Sequence, residues 1–156
     1  MCIRDSNGGG TFAAWEIILP TPSFRGSYGL NFHMVTGPPI MRPTEIRWGR
    51  DITSLRGRHA IPFLLDAGKP TGSIGDGKIP PPPPVEPNAT SGNLVINRHN
   101  GTTNALFLDW SVRPVGLKEL WTLKWYDDFD TAGPWTRAGG VKPEDWPQWM
   151  RKLKDY

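Results

Sequence analysis

The clearest pattern of apolar and polar positions lies at residues 97–115. An Asn-Gly turn signal at residues 100–101 is followed by an apolar run at residues 105–108. Asp109 interrupts the run, and apolar positions resume at Val112. Two short apolar segments separated by turn residues predict two strands joined by a tight turn.

Four other segments have the composition of strands. They are residues 27–35, 45–48, 60–65 and 93–96. Pro62 lacks a backbone donor, so we expect it at the start of a strand or on a sheet edge. The apolar run at residues 12–19 is too short to distinguish the end of a helix from a strand.

The C-terminal part of the chain changes to helical spacing. Leu117, Leu120, Trp121 and Trp125 recur at the intervals of an amphipathic helix. A second stripe comprises Trp146, Trp149, Met150 and Leu153, and it follows Pro143 at a favourable first helical position. These patterns predict two short C-terminal helices on an antiparallel β-sheet, and therefore an α+β fold.

A Pro/Gly-rich loop at residues 67–93 contains little that could pack, and its run of prolines predicts a short polyproline II segment. A connection of this length is usually functional or disordered. We therefore expect one globular domain, with sheet segments at residues 11–66 and a hairpin and Trp-rich helical tail at residues 94–156. Residues 1–10 are expected to be a non-native head, because their first half resembles translated adapter sequence.

The composition indicates a folded but loop-rich chain. Of 156 residues, 18 are glycine and 17 are proline, yet eight are tryptophan, and disordered segments are poor in aromatic residues. The net charge is only +3, and the sequence shows neither a dense basic patch nor a nucleic-acid-binding motif, so nucleic acid is not expected as a partner. Cys2 is the only cysteine, which excludes an internal disulfide.

The hairpin resembles a segment of a known protein family. His99 and Asp109 are separated by nine residues at a predicted turn, as in the H-X9-DG segment of bacterial prepilin-type, pseudopilin-like proteins. The similarity extends to residues 26–31, 61–66, 115–125, 130–141 and 143–151. Trp110 departs from the pattern, since the family usually has glycine there. Because tryptophan is less suited to a positive φ, we expect a wider turn.

The resemblance implies a non-catalytic structural or assembly protein, similar to the globular head of a type II secretion or type IV pilus-like pseudopilin. Such a protein is exported to the cell envelope or cell surface of a bacterium. Its partners would be other pilin-like subunits, contacted through an N-terminal apolar helix that is missing here. That helix would also be its only contact with the membrane. His99, Asp109 and Trp110 would shape the hairpin.

Two kinds of site chemistry compete with this structural interpretation. His99 and Asp109 could be a catalytic pair or metal ligands, but no serine or cysteine lies in an activating context. We therefore expect His99 and Asp109 to hydrogen-bond backbone groups and so to fix the strand entry and the turn, with no catalytic residue and no cofactor. A calcium ion near Asp127, Asp128 and Asp130 is the alternative to a solvated acidic loop, and the EF-hand pattern is absent.

The tryptophans suggest a second function, a surface module that binds carbohydrate or protein through exposed rings. The candidate residues are Trp110, Trp121, Trp125 and Trp135. Their helical spacing favours packing against the sheet instead. Trp110, at the predicted hairpin tip, is the best candidate for exposure.

Overall fold

A computed structural model describes residues 6–9, 13–18, 21–34, 55–75, 79–86 and 94–156. Within these ranges the regular structure is β-strand and short 3₁₀ helix. The strands are β1 (Ser6–Asn7), β2 (Trp15–Ile17), β3 (Phe24–Gly26), β4 (Tyr28–Asn31), β5 (Pro62–Asp66), β6 (Thr71–Gly72), β7 (Thr102–Phe107) and β8 (Val112–Gly116). The 3₁₀ helices are Phe32–Met34, Arg58–Ala60, Lys118–Thr122 and Pro143–Asp145.

The strands form two sheets. The smaller sheet is antiparallel, in the order β1-β2-β3. The larger sheet has the order β6-β4-β5-β7-β8, and all its neighbouring strands are antiparallel except β4 and β6, which run parallel. The central strands contribute Leu65, Ala105 and Phe107 to the hydrophobic core, and the chain after β8 contributes nine further core residues among those described.

The β7–β8 hairpin is formed where the sequence predicts it. Buried Thr103, Ala105 and Phe107 alternate along β7 with partly exposed residues, as expected for a strand with one face on the core. The register pairs Thr103 with Val115 and Leu106 with Val112. Local alternation and the turn signal were therefore sufficient to predict this hairpin.

The predicted α+β class is wrong, because the C-terminal stripes do not form α-helices. Lys118–Thr122 is a 3₁₀ helix, and the backbone of Leu123 is extended. The N–H of Lys124 donates to the carbonyl oxygen of Ala60 at 3.0 Å instead of to a carbonyl one turn back. Asn31 Nδ2 donates to the carbonyl oxygen of Trp125 at 3.1 Å. Tertiary partners thus satisfy the backbone groups that a helix would have used.

The second predicted helix stops after a single turn. Pro143–Asp145 is a 3₁₀ helix, and the N–H of Lys142 donates to Asp145 Oδ2 at 2.8 Å. Trp146 is extended because the residue before a proline is sterically excluded from helical geometry, and Pro147 follows it. The apolar stripe beyond this point is carried by successive turns rather than by a helix.

The Pro/Gly-rich loop also differs from expectation, since its described residues do pack. β6 lies within it and pairs with β4. Ile74, Pro80, Pro83 and Pro84 are buried. The proline run therefore contributes to the core, although its sequence lacks the aliphatic side chains on which core predictions depend.

The remaining predicted segments have mixed outcomes. Residues 12–19 contain β2, and Pro62 is the first residue of β5, as expected for a proline in a strand. Residues 94–96 are buried but form no strand, and residues 45–48 lie outside the described residues. β1 lies in the expected non-native head (residues 1–10) and pairs with β2. Strand pairing uses backbone groups, so this contact does not depend on the identity of the side chains. Among the described residues, no helix is long and apolar enough to cross a membrane.

Candidate functional site: the hairpin and the tryptophan tail

His99 lies at the base of the hairpin and contacts a buried carboxylate that the sequence analysis did not identify. Its Nε2 is 3.1 Å from Oδ2 of Asp66, the last residue of β5. The same oxygen accepts a hydrogen bond from the backbone N–H of Asn104 at 2.8 Å, and Thr103 Oγ1 lies 3.4 Å from it. His99 is exposed and Asp66 is buried, so this contact joins the start of the hairpin to the neighbouring strand.

Asp109 lies at the other end of the hairpin, in the loop of residues 108–110. Its Oδ1 accepts hydrogen bonds from the Ser111 hydroxyl at 2.6 Å and from the Ser111 N–H at 3.0 Å. These bonds hold the pKa of the Asp109 carboxyl below its usual value, because they favour the ionised form. Asp109 therefore closes the turn locally, through a residue two positions away.

Trp110 completes the loop in a conformation that tryptophan rarely adopts. Its φ is 68°, in the left-handed region that favours glycine. The N–H of Phe107 donates to the carbonyl oxygen of Ser111, which leaves a three-residue loop rather than a two-residue one. The loop is thus wider, as expected, but Trp110 still takes the left-handed position. Its ring is 76% exposed and makes an edge contact with Phe63 at 6.3 Å between centroids.

His99 and Asp109 do not form one site. β7 separates them, and its six residues span roughly 20 Å at the rise of an extended strand. A proton transfer between them would need hydrogen-bond contact. The His99 side chain instead contacts Asp66 and Asn104 at the base of the hairpin, and Asp109 accepts hydrogen bonds from Ser111 in the loop.

The four candidate tryptophans are not presented on one surface. Trp121 and Trp125 are 1% and 0% exposed, and the indole N–H of Trp125 donates to the carbonyl oxygen of Leu120 at 2.7 Å. Trp135 is partly buried against Trp146, with ring centroids 5.6 Å apart. Only Trp110 of the four is exposed, so a platform of these four rings is ruled out because two of them lie in the core.

Two tryptophans of the tail (residues 117–156), one buried and one partly buried, also hold the proline segment (residues 80–84). Trp121 Nε1 donates to the carbonyl oxygen of Pro81 at 2.9 Å, and Trp149 Nε1 donates to that of Pro84 at 3.1 Å. The two acceptors are three residues apart, one turn of a polyproline II helix. Sequence analysis missed these contacts because the partners are 40 and 65 positions apart.

A buried ammonium group, that of Lys118, lies beside another tryptophan of the tail, Trp146. The Lys118 side chain is 0% exposed, and its Nζ lies 2.7 Å from Oδ1 of Asp155. It also lies 4.8 Å from the centre of the Trp146 ring, within cation–π range. The ion pair joins the 3₁₀ helix after β8 to the end of the chain. No local sequence pattern indicated it.

The acidic residues considered for calcium do not converge. Asp127 Oδ1 pairs with Lys124 Nζ at 3.2 Å, and Asp130 Oδ1 accepts the N–H of Ala132 at 3.0 Å. In the part of the chain that the structure describes, no group of three or more His, Cys, Asp or Glu side chains could hold a metal ion.

Comparisons with models of protein families, with curated proteins and with solved structures found no match to this chain.

Proposed function

We propose that this chain is the globular head of a pseudopilin-like protein with a non-catalytic, structural role in the bacterial cell envelope. Its partners in this proposal are other pilin-like subunits, reached through an N-terminal apolar helix. The sequence support is the H-X9-DG-like spacing of His99 and Asp109 together with the Trp-rich tail.

The observation that supports this most directly is the use of His99 and Asp109 at opposite ends of one hairpin. His99 joins the base to Asp66, and Asp109 closes the loop through Ser111. Both side chains act on the geometry of the hairpin, and neither lies within reach of the other. This arrangement favours a structural role for the two residues over the alternative of a catalytic pair.

The chromosomal sequence upstream of the codon for Thr11 tests the proposal. We expect a short basic leader followed directly by about 20 apolar residues, the length of a membrane-spanning helix. Mass spectrometry of the envelope fraction would then show the leader removed and the apolar helix retained. A conventional cleaved signal peptide without that helix would contradict the proposal.

A second candidate function is a surface module that binds carbohydrate through Trp110. The favouring observation is that a large ring is held exposed in a left-handed conformation, because strained residues persist where other constraints or function maintain them. Titration with soluble glycans, followed by tryptophan fluorescence, tests it. Saturable binding that Trp110→Ala abolishes and Trp110→Phe largely retains would support this function, and an unchanged spectrum in wild type would exclude it for the glycans tested.

A further inference from the structure

The tail already makes hydrogen bonds to one proline-rich segment, the proline segment of its own chain. Two indole N–H groups, from Trp121 and Trp149, donate to proline carbonyl oxygens one polyproline II turn apart. Proline-rich ligands are recognised by aromatic grooves because their backbone is preformed and its carbonyl oxygens remain available as acceptors. Tryptophans of the tail therefore already bind a proline-rich segment of the same chain through its carbonyl oxygens.

A groove of about 330 Å³ lies beside this internal contact. Pro82 and Pro83 line it from the proline segment, and Trp135 and Trp146 line it from the tail. Its volume is at the lower end of the range of ligand-binding pockets. Its lining therefore combines proline and tryptophan side chains.

One charged side chain at the groove lacks a partner in the described part of the chain. The exposed Glu144 carboxylate makes no ion pair with any described residue. The guanidinium group of Arg151 is already engaged by the carbonyl oxygens of Trp146 and Glu144. The groove lining therefore carries two carboxylates, of Glu144 and Asp145, and one guanidinium, of Arg151, so its net charge favours a ligand with a positive charge.

We infer that this groove (the proline groove) binds a proline-rich segment of a partner protein that carries a basic residue. Trp135 and the two prolines would contact the ligand's rings, and Glu144 would pair with its cation. A second copy of this chain is a poor source of the ligand, because three prolines of its own segment, Pro80, Pro83 and Pro84, are already buried. The inference does not depend on the proposed envelope role.

The experiment uses two synthetic polyproline peptides of roughly ten residues, identical except that one carries a central arginine. Each is titrated into the full chain and followed by calorimetry and tryptophan fluorescence. We expect saturable binding of both, tighter for the arginine peptide. Trp135→Ala should weaken binding about tenfold, the effect of losing one aromatic contact of about 1.4 kcal/mol. Glu144→Gln should remove the preference for arginine and leave the plain peptide unaffected.

Phe24→Ala is the matched control, since Phe24 is an exposed aromatic residue in the smaller sheet, and it should bind both peptides as wild type does. Circular dichroism and thermal melting establish that each variant folds. If Trp135→Ala fails to fold, Glu144→Gln still decides the charge preference. Absence of saturable binding to wild type, or equal affinity in a folded Trp135→Ala variant, would overturn the inference. Concentration-dependent self-association lost in Trp135→Ala would also overturn it, by assigning the groove to a second copy.

Discussion

Trp110 and Trp121 are the same residue type in opposite environments, only eleven positions apart in the chain. Trp110 is 76% exposed at a hairpin tip, whereas Trp121 is 1% exposed and donates a hydrogen bond to the proline segment. The environment of Trp110 follows from neighbouring residues, because the bonds between Asp109 and Ser111 define the loop. That of Trp121 follows from a partner 40 positions away. Aromatic content alone therefore does not distinguish a core from a binding surface.

The largest effect is expected for Trp121→Ala. Removing a fully buried ring and its hydrogen bond should lower the free energy of unfolding by about 3–5 kcal/mol. Urea denaturation followed by circular dichroism measures this change. Trp110→Ala, the matched change at the exposed position, should cost less than about 0.5 kcal/mol. Similar costs at the two positions would contradict the contrast between them.

Asp66→Ala should have the next largest effect. It removes the acceptor of the Asn104 N–H and leaves the nearby Thr103 hydroxyl without its carboxylate. Leaving buried donors unsatisfied should lower the unfolding free energy by about 2–3 kcal/mol. Asp109→Ala is the control at the exposed end, and its melting temperature should fall much less. Equal losses would show that the base of the hairpin is no more important than its loop.

Trp110→Gly should stabilise the protein. Glycine adopts the left-handed conformation without steric cost, so the gain should be about 1 kcal/mol, less whatever the edge contact with Phe63 contributes. The melting temperature measures it. Trp110→Ala keeps the backbone strain and loses the ring, so it separates the two contributions. A lower melting temperature for the glycine variant would mean that the ring contact outweighs the strain.

The smallest expected effect is a loss of stability at acidic pH that comes from Asp109 in the hairpin loop. Because the folded state lowers the pKa of Asp109, its contribution is present above the ordinary carboxyl pKa and is lost as the pH falls through the folded value. Asp109→Asn retains an acceptor for Ser111 but cannot titrate. Its melting temperature should therefore fall less between neutral and acidic pH than that of wild type. Parallel curves would show that the carboxylate charge adds nothing to the turn.

The hairpin was the part of the fold most accessible to sequence analysis. Alternation along residues 102–107 and the polar turn after them are local patterns, and strand pairing between neighbours follows from them. The helical spacing of the tail was equally clear but gave the wrong structure. Pro147 forces Trp146 out of helical geometry, and Ala60 and Asn31 take up backbone groups near residue 124. The spacing of apolar residues predicts which side chains are buried more reliably than it predicts the backbone conformation.

The candidate sites divide in the same way. The bond from Asp109 to its own turn could be predicted, since an aspartate and the residue two positions on commonly hydrogen-bond. The contact between His99 and Asp66, the Lys118–Asp155 pair and the proline groove could not. Their members come from segments far apart in sequence, with no fixed spacing that a motif could capture.

The sequence by itself determined the β7–β8 hairpin, its closing aspartate and the exposure of Trp110, because these depend on residues within a few positions of each other. Tertiary structure alone decided that the tail is not α-helical, that the proline segment is packed against it, and which tryptophans are buried. Those outcomes depend on which distant backbone groups and rings meet when the chain folds. Residues far apart in the chain supply the hydrogen-bond partners and the packing surfaces, and the pattern of apolar residues along the sequence does not specify which residues these are.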